Sequence, residues 1–128
     1  MDFEKEKVIV VGASPKEDRY SFKAIQSLLA HGHSVAGVHP VYREVLGVPV
    51  FETLREAKES LGGLDTVTLY VNATRSSVLE HDLLLVKPQR VIFNPGAENP
   101  TLLSRLSQEG IETLLACTLV LLSTGQFS

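Results

Sequence analysis

The residues of this chain whose types and spacing could do chemistry come in short clusters, each placed directly after an apolar run. They are Gly12-Ala13-Ser14, His39-Pro40, Asn72-Ala73-Thr74-Arg75, Asn94-Pro95-Gly96 and Cys117. A glycine that ends a buried strand lets backbone approach a ligand closely because it carries no Cβ. A serine just beyond it adds a hydroxyl near the start of the next helix, where free amides and the helix dipole favour phosphate. Gly12, Ala13 and Ser14 therefore suit a phosphate cradle. The segment Gly12-Ala13-Ser14-Pro15-Lys16-Glu17 lacks the full G-x-G-x-x-G pattern, so an ordinary glycine turn stays open as the plainer reading. Lys16, Arg19 and Lys23 follow the first cluster and Arg43 follows the second, enough cations to surround phosphates. For any one of them solvated surface charge is the more common explanation. Arg75 is better placed, because its position follows from strand topology as well as from its charge.

Hydrolytic and redox chemistry find less support. His31, His33, His39 and His81 show no metal-ligand spacing joined to carboxylates, and no serine sits in a nucleophile elbow. His31 and His33 suit helix-end or surface positions. Cys117 is the single cysteine, which excludes an intrachain disulfide or a multi-cysteine metal site and agrees with a reducing compartment. At a strand end it reads as a packing residue or as one that meets a ligand thiol. No catalytic residue and no metal site is expected.

The elements that must position these clusters alternate. Lys7 to Val11 is a β-branched run ended by Gly12, the pattern of a strand buried on both faces. Phe22, Ile25, Leu28 and Leu29 recur at helical spacing, with Gly32 as the stop. Val35 to His39 reads as a second strand halted by Pro40, and Pro49 demotes Val48 to Phe51 to an edge strand or an extended connector. Thr53 and Glu56 have the form of a capping box opening a helix toward Leu61, which Gly62-Gly63 ends. Thr66 to Val71 is a third strand closed by Asn72. A helix from about Thr74 carries Val78, Leu79, Leu83, Leu84 and Val86 and stops at Pro88. Val91-Ile92-Phe93 is the fourth strand. Asn99-Pro100 caps a helix bearing Leu102, Leu103 and Leu106 that Gly110 ends, and Ile111 to Ala116 is the fifth strand. The tail from Thr118 to Ser128 fits strand, helix or packed coil. Strands alternating with helices at this spacing predict an α/β domain over residues 1–128, a Rossmann-like doubly wound parallel sheet of about five strands with helices on both faces. In such a sheet ligands bind beyond the carboxyl ends of the strands, where the clusters fall.

Composition bounds the partners. The 128 residues fit one domain, and 44% apolar with 21% charged content suits a globule with a sizeable core. Fifteen acidic against twelve basic residues give a net charge of −3, so no global positive field draws nucleic acid or anionic membrane, and an anionic ligand must be held locally. The start Met1-Asp2-Phe3-Glu4-Lys5-Glu6-Lys7 alternates charges where a secretory signal needs an apolar core, and Leu114 to Leu122 is too short to span a bilayer. A cytoplasmic protein is expected. Apolar residues at Leu119 to Leu122 leave a homo-oligomer open.

An NAD site expects a carboxylate at the end of the second strand, and His39-Pro40 stands there instead. Arg43 could serve an NADP phosphate, so a small NAD(P)-binding redox protein or oxidoreductase fragment is the alternative function, and a structural protein with a blocked cleft is a third.

Taken together, Val10-Val11-Gly12-Ala13-Ser14, Val38-His39-Pro40, Gly47 to Phe51, Leu64 to Asn72 with Arg75-Ser76, Asn94-Pro95-Gly96 and Cys117 resemble, in order and spacing, the small CoA-binding proteins. That family shares its Rossmann-like domain with the CoA-binding part of succinyl-CoA synthetase α subunits, and the likeness spans nearly the whole chain. The resemblance implies that Gly12, Ala13 and Ser14 meet the CoA phosphates and that Arg19 is a basic residue of the following loop. It also implies that His39 and Pro40 form the adenine-side turn, where many relatives have asparagine before the proline and a basic residue soon after it. Here the sequence runs Val41-Tyr42-Arg43, with Arg43 as the replacement cation. Val71, Asn72 and Arg75 then form the third-strand edge of the pocket, and Asn94, Pro95 and Gly96 the turn facing it. The synthetases carry a phosphorylated histidine in a second domain, for which this chain has no room. The expectation is therefore a module that binds coenzyme A or an acyl-CoA without identifiable catalytic machinery, as a carrier, a sensor or the partner of an enzyme.

Overall fold

The computed structural model describes residues 5–128. The described residues form one seven-stranded sheet flanked by helices, with strand order β3-β4-β2-β1-β5-β6-β7. The strands are β1 (Lys7–Val11), β2 (Ser34–Val38), β3 (Glu44–Val45), β4 (Val48–Phe51), β5 (Thr66–Leu69), β6 (Arg90–Phe93) and β7 (Glu112–Leu115). The helices are α1 (Tyr20–Ala30), α2 (Leu54–Leu61), α3 (Ala73–Ser77), α4 (Glu80–Val86), α5 (Pro100–Gln108) and α6 (Thr118–Ser123). All pairings are parallel except β3 with β4. This is the doubly wound architecture that the alternation predicts.

The two-residue period of a strand divides the core. Val8 and Val10 of β1 face one layer, with Phe22, Ile25 and Leu28 of α1, Leu122 of α6 and Phe127. Ile9 and Val11 face the other, with Leu54 and Ala57 of α2, Leu83 and Val86 of α4, and Leu102 and Leu106 of α5. Leu29 lies on the outer side of α1, 39% exposed, and contributes little to either.

The sheet has more strands than the five expected, because β3 and β4 extend it beyond β2. Pro49 does not push β4 to the rim. β4 pairs in parallel with β2 through Gly37↔Val50 and Val38↔Phe51, and the two-residue β3 covers its other side. The amide that Pro49 lacks is not needed: on the β3 side Val50 donates to Arg43 O (3.0 Å), and the pairing with β2 involves only Val50 and Phe51.

The single helix expected from Thr74 to Val86 is two. Leu79 N donates to Ser76 O (3.0 Å) in a tight turn that ends α3, and Val78 there is 79% exposed. A tertiary contact fixes the break. The Asn99 amide donates to Ser76 Oγ (2.8 Å), Ser77 Oγ (3.0 Å) and Ala73 O (3.3 Å), tying α3 to the start of α5 while α4 turns to pack in the core layer with α2.

Candidate functional site

The winding of the chain makes the site. From β1 it runs outward through β2 and β4, then returns to place β5 on β1's other side and continues outward through β6 and β7. The connections leaving β1 and β5 therefore part in opposite directions, and a crevice of about 550 Å³ opens beyond their carboxyl ends. Gly12 and Ser14 line it from β1, His39 and Tyr42 from β2, Tyr70, Val71, Asn72 and Arg75 from β5, and Pro95, Gly96 and Ala97 from β6. Lys16, Arg19, Tyr20 and Ser21 close it from the loop and first turn of α1.

The bend after β1 exists because two glycines remove side chains from crowded places. Gly12 has φ +90°, and a Cβ there would stand 3.1 Å from both Tyr70 O and Val71 Cγ1. Beneath it, a Cβ on Gly37 would stand 2.7 Å from the Ala13 Cβ, so only glycine in β2 lets Ala13 bury fully. The amides at the bend are not available to a ligand. Gly12 N and Ala13 N both donate to Val38 O, at 2.9 and 3.3 Å. The phosphate cradle read at Gly12, Ala13 and Ser14 therefore has no free amide from its first two residues.

Open amides lie farther on, at the start of α1. Its N-cap is Arg19, whose side chain caps nothing, and its first turn has no acidic residue. By contrast Thr53 accepts from Glu56 N at α2, Asn72 from Arg75 N at α3 and Asn99 from Leu102 N at α5. The first-turn N–H groups of α1 are thus left for water or a ligand, at the positive end of a helix dipole. Lys16, Arg19 and Arg75 stand in the same crevice, and none forms an ion pair among the described residues. Among the described residues no aspartate or glutamate lines it; the Glu98 carboxylate lies at its edge, where it accepts from Gly96 N at 3.1 Å. In a chain of net charge −3, this is a local positive site.

His39, Tyr42 and Tyr70 furnish more of the wall. His39 Nδ1 accepts from Val41 N (3.0 Å) and Tyr42 N (3.3 Å), and its ring packs on that of Tyr42 with centroids 4.3 Å apart. Burial, and then the neighbouring Arg75 and Arg43 guanidinium groups, hold its pKa below the ordinary value. The Tyr70 hydroxyl is enclosed beside Thr68 and Thr118, which share a hydrogen bond of 2.8 Å, and makes no hydrogen bond of good geometry among the described residues. Burial pushes its pKa up to about 12, so it stays a protonated donor.

Some expected site residues lie outside the crevice. Ala13 is buried below the bend. Asn94 is buried beneath the rim, donating to Thr68 Oγ1 (2.6 Å) and Leu69 O (2.9 Å) and accepting from Thr118 N (2.9 Å), so it joins β5, β6 and α6. Arg43 turns inward on its own loop, paired with Glu52 at 3.0 Å and donating to the carbonyls of His39, Pro40 and Tyr42. Pro40 and Cys117 do not line the crevice. Sequence reasoning missed Tyr20, Ser21, Tyr42, Tyr70 and Ala97 as lining residues. Of these Tyr70 was findable, since it continues the alternation of Thr66 and Thr68 past the end of β5.

Nothing in the collected set of curated proteins matches this chain. Solved structures do. A crystal structure of an uncharacterized protein superposes with a TM-score of 0.87 at 38% identity, over 98% of this chain and 100% of the other. A conserved hypothetical protein from Pyrococcus furiosus gives 0.79 at 25% identity, over 90% and 97%. A hypothetical protein from Pyrococcus horikoshii gives 0.85 at 23%, over 97% and 85%, a likeness of fold alone. The model of the CoA binding domain matches residues 6–123, which takes in every strand and every crevice residue. By that match, and by a fold and a crevice that agree with it, the chain belongs to the family of CoA-binding domains.

Proposed function

We propose that the crevice holds coenzyme A or an acyl-CoA, with the ligand's diphosphate against the first turn of α1 and the cations Lys16, Arg19 and Arg75. The observation that carries this reading is the pairing of an uncapped helix start with basic side chains that form no ion pair among the described residues, in a crevice that no described aspartate or glutamate lines. Unsatisfied donors and cations brought together need an anion, and a diphosphate supplies oxygens for both. Gly12 and Ser14 contribute close approach and a hydroxyl. Val71, Asn72, Pro95 and Gly96 form the opposite wall, and His39 with Tyr42 forms the end beyond β2. Ala13, Pro40, Asn94 and Arg43 support the rim from behind. The protein binds and presents its ligand without catalytic machinery of its own, as a carrier or sensor.

Thermal denaturation with added ligand tests the reading. Coenzyme A is expected to raise Tm in a saturable manner, by about 2.7 kcal/mol of added stability when its concentration reaches a hundred times Kd. Dephospho-CoA is expected to stabilise less and NADPH least. No shift at millimolar coenzyme A, or tighter binding of NADPH, overturns the assignment.

A further inference from the structure

The loop that follows β2 is held by a histidine acting as its own cap. His39 Nδ1 receives two backbone N–H groups, from Val41 and Tyr42, as an asparagine or aspartate oxygen does in an Asx turn. A nitrogen that accepts those bonds cannot also carry a proton, so the proton of the neutral ring sits on Nε2. Nε2 has no partner among the described residues, on a ring that lines the crevice. Tyr42 stacks on the ring and fixes its plane. Arg75 also lines this crevice, while Arg43 is engaged with Glu52 and the loop carbonyls.

We infer that His39 is a specificity-determining residue that gives the bound ligand a neutral Nε2–H hydrogen bond to a phosphoryl oxygen, and that its tautomer is set by the turn it caps. The inference rests on the phosphate-bearing ligand proposed above. It has a chemical corollary. Because the Nε2 lone pair is withheld, His39 is a donor at this site and neither a nucleophile nor a metal ligand. A protonated ring would direct a proton from Nδ1 at two other donors, which the turn opposes. The charged groups facing it, Arg75 and Arg43, oppose it as well.

His39→Asn separates the two functions of the ring, because the Asn side-chain oxygen can still cap the turn while the donor at the ring's far edge is lost. Calorimetric titration of wild type and variant with coenzyme A and with dephospho-CoA is the measurement, with Tm of the free proteins as the folding control. The variant is expected to fold with an unchanged Tm and to bind coenzyme A about fivefold to tenfold more weakly. If the loss persists with dephospho-CoA the oxygen belongs to the diphosphate, and if it vanishes there the oxygen belongs to the 3′-phosphate; both support the inference. Equal affinity of wild type and variant for coenzyme A overturns it. Long-range proton–nitrogen NMR spectra of the wild-type imidazole give an independent readout, and a proton found on Nδ1 overturns it even if the variant misfolds. Wild type that binds neither ligand defeats the proposed function instead, while the tautomer measurement still stands.

Discussion

The two rims of the same sheet treat their charged groups in opposite ways. At the carboxyl rim Arg43 pairs with Glu52, but Lys16, Arg19 and Arg75 face the crevice without an ion pair among the described residues, above a helix start without a side-chain cap. At the amino rim the polar groups find partners within the fold. Arg90 pairs with Glu6 at 3.3 Å and also lies over the Phe127 ring, 4.6 Å from its centroid. His33 also meets that ring, edge-on with centroids 5.1 Å apart, and its Nδ1 accepts from Glu6 N at 2.9 Å. Lys7 N donates to Asp65 Oδ2, Lys5 Nζ to His31 O and Lys7 Nζ to Gly62 O. Groups satisfied inside the chain hold strands together, whereas groups left unsatisfied await something from outside. The contrast is one of energetics: the amino rim contributes to folding, and the carboxyl rim is the one proposed to contribute to binding.

The most forceful way to break that contrast is Phe127→Ala. Phe127 is 3% exposed and its ring meets both His33 and Arg90. Its removal is expected to destabilise the fold by about 3 kcal/mol, the low end for emptying a buried phenylalanine site, as read by urea denaturation. Coenzyme A affinity of the folded protein should stay within about twofold of wild type. A large loss of affinity would mean that the rims are coupled and the division is false.

The converse test is Arg75→Ala at the other rim. Arg75 is exposed and forms no ion pair among the described residues, so stability should move by less than about 0.5 kcal/mol. Coenzyme A should bind about tenfold more weakly, as expected for one lost charge-assisted contact to phosphate. Unchanged affinity removes Arg75 from the site. Unchanged affinity with lower stability would instead assign it to the fold.

What the sequence reveals of this arrangement depends on the range of the forces involved. Local signals read true. Asn99-Pro100 caps α5, and the Thr53 hydroxyl takes the Glu56 amide at 3.2 Å, although the Glu56 carboxylate accepts from that hydroxyl (3.0 Å) and not from the Thr53 amide as a full capping box requires. The alternation of strands and helices gives the winding, and with it the place of the crevice. Features made by contact between distant segments stay hidden. The break between α3 and α4 depends on Asn99, twenty-two or more residues away. His33 reads as a surface residue from its polar neighbours, yet Phe127, on the tail, buries it to 6% exposure. Arg43 looks like a free cation until the fold brings Glu52 beside it. The uncapped start of α1 is the middle case: Arg19 is visible as a poor cap, but only the crevice gives that absence a meaning.

His33 sharpens the comparison most finely, through pH. Burial first, then the positive charges of Lys5, His31 and Arg90, hold its pKa below the ordinary 6.5. The folded state therefore favours the neutral ring, whose Nδ1 accepts the Glu6 amide, while the unfolded chain takes up a proton near 6.5. As pH drops below that value the unfolded state binds more protons than the folded one, so the contribution is complete above 6.5 and is lost as pH falls through the depressed folded value. His39 carries the same sign at the opposite rim. Thermal denaturation between pH 7.5 and 5.5 should show Tm falling toward acid, with a shallower fall in His33→Asn, which has no proton to gain. Saturating coenzyme A should leave the His33 share untouched, because no group of the amino rim reaches the crevice, and should alter only the share of His39. If the difference between wild type and His33→Asn disappears when ligand is bound, the acid sensitivity belongs to a single coupled unit, and the separation of a folding rim from a binding rim does not hold.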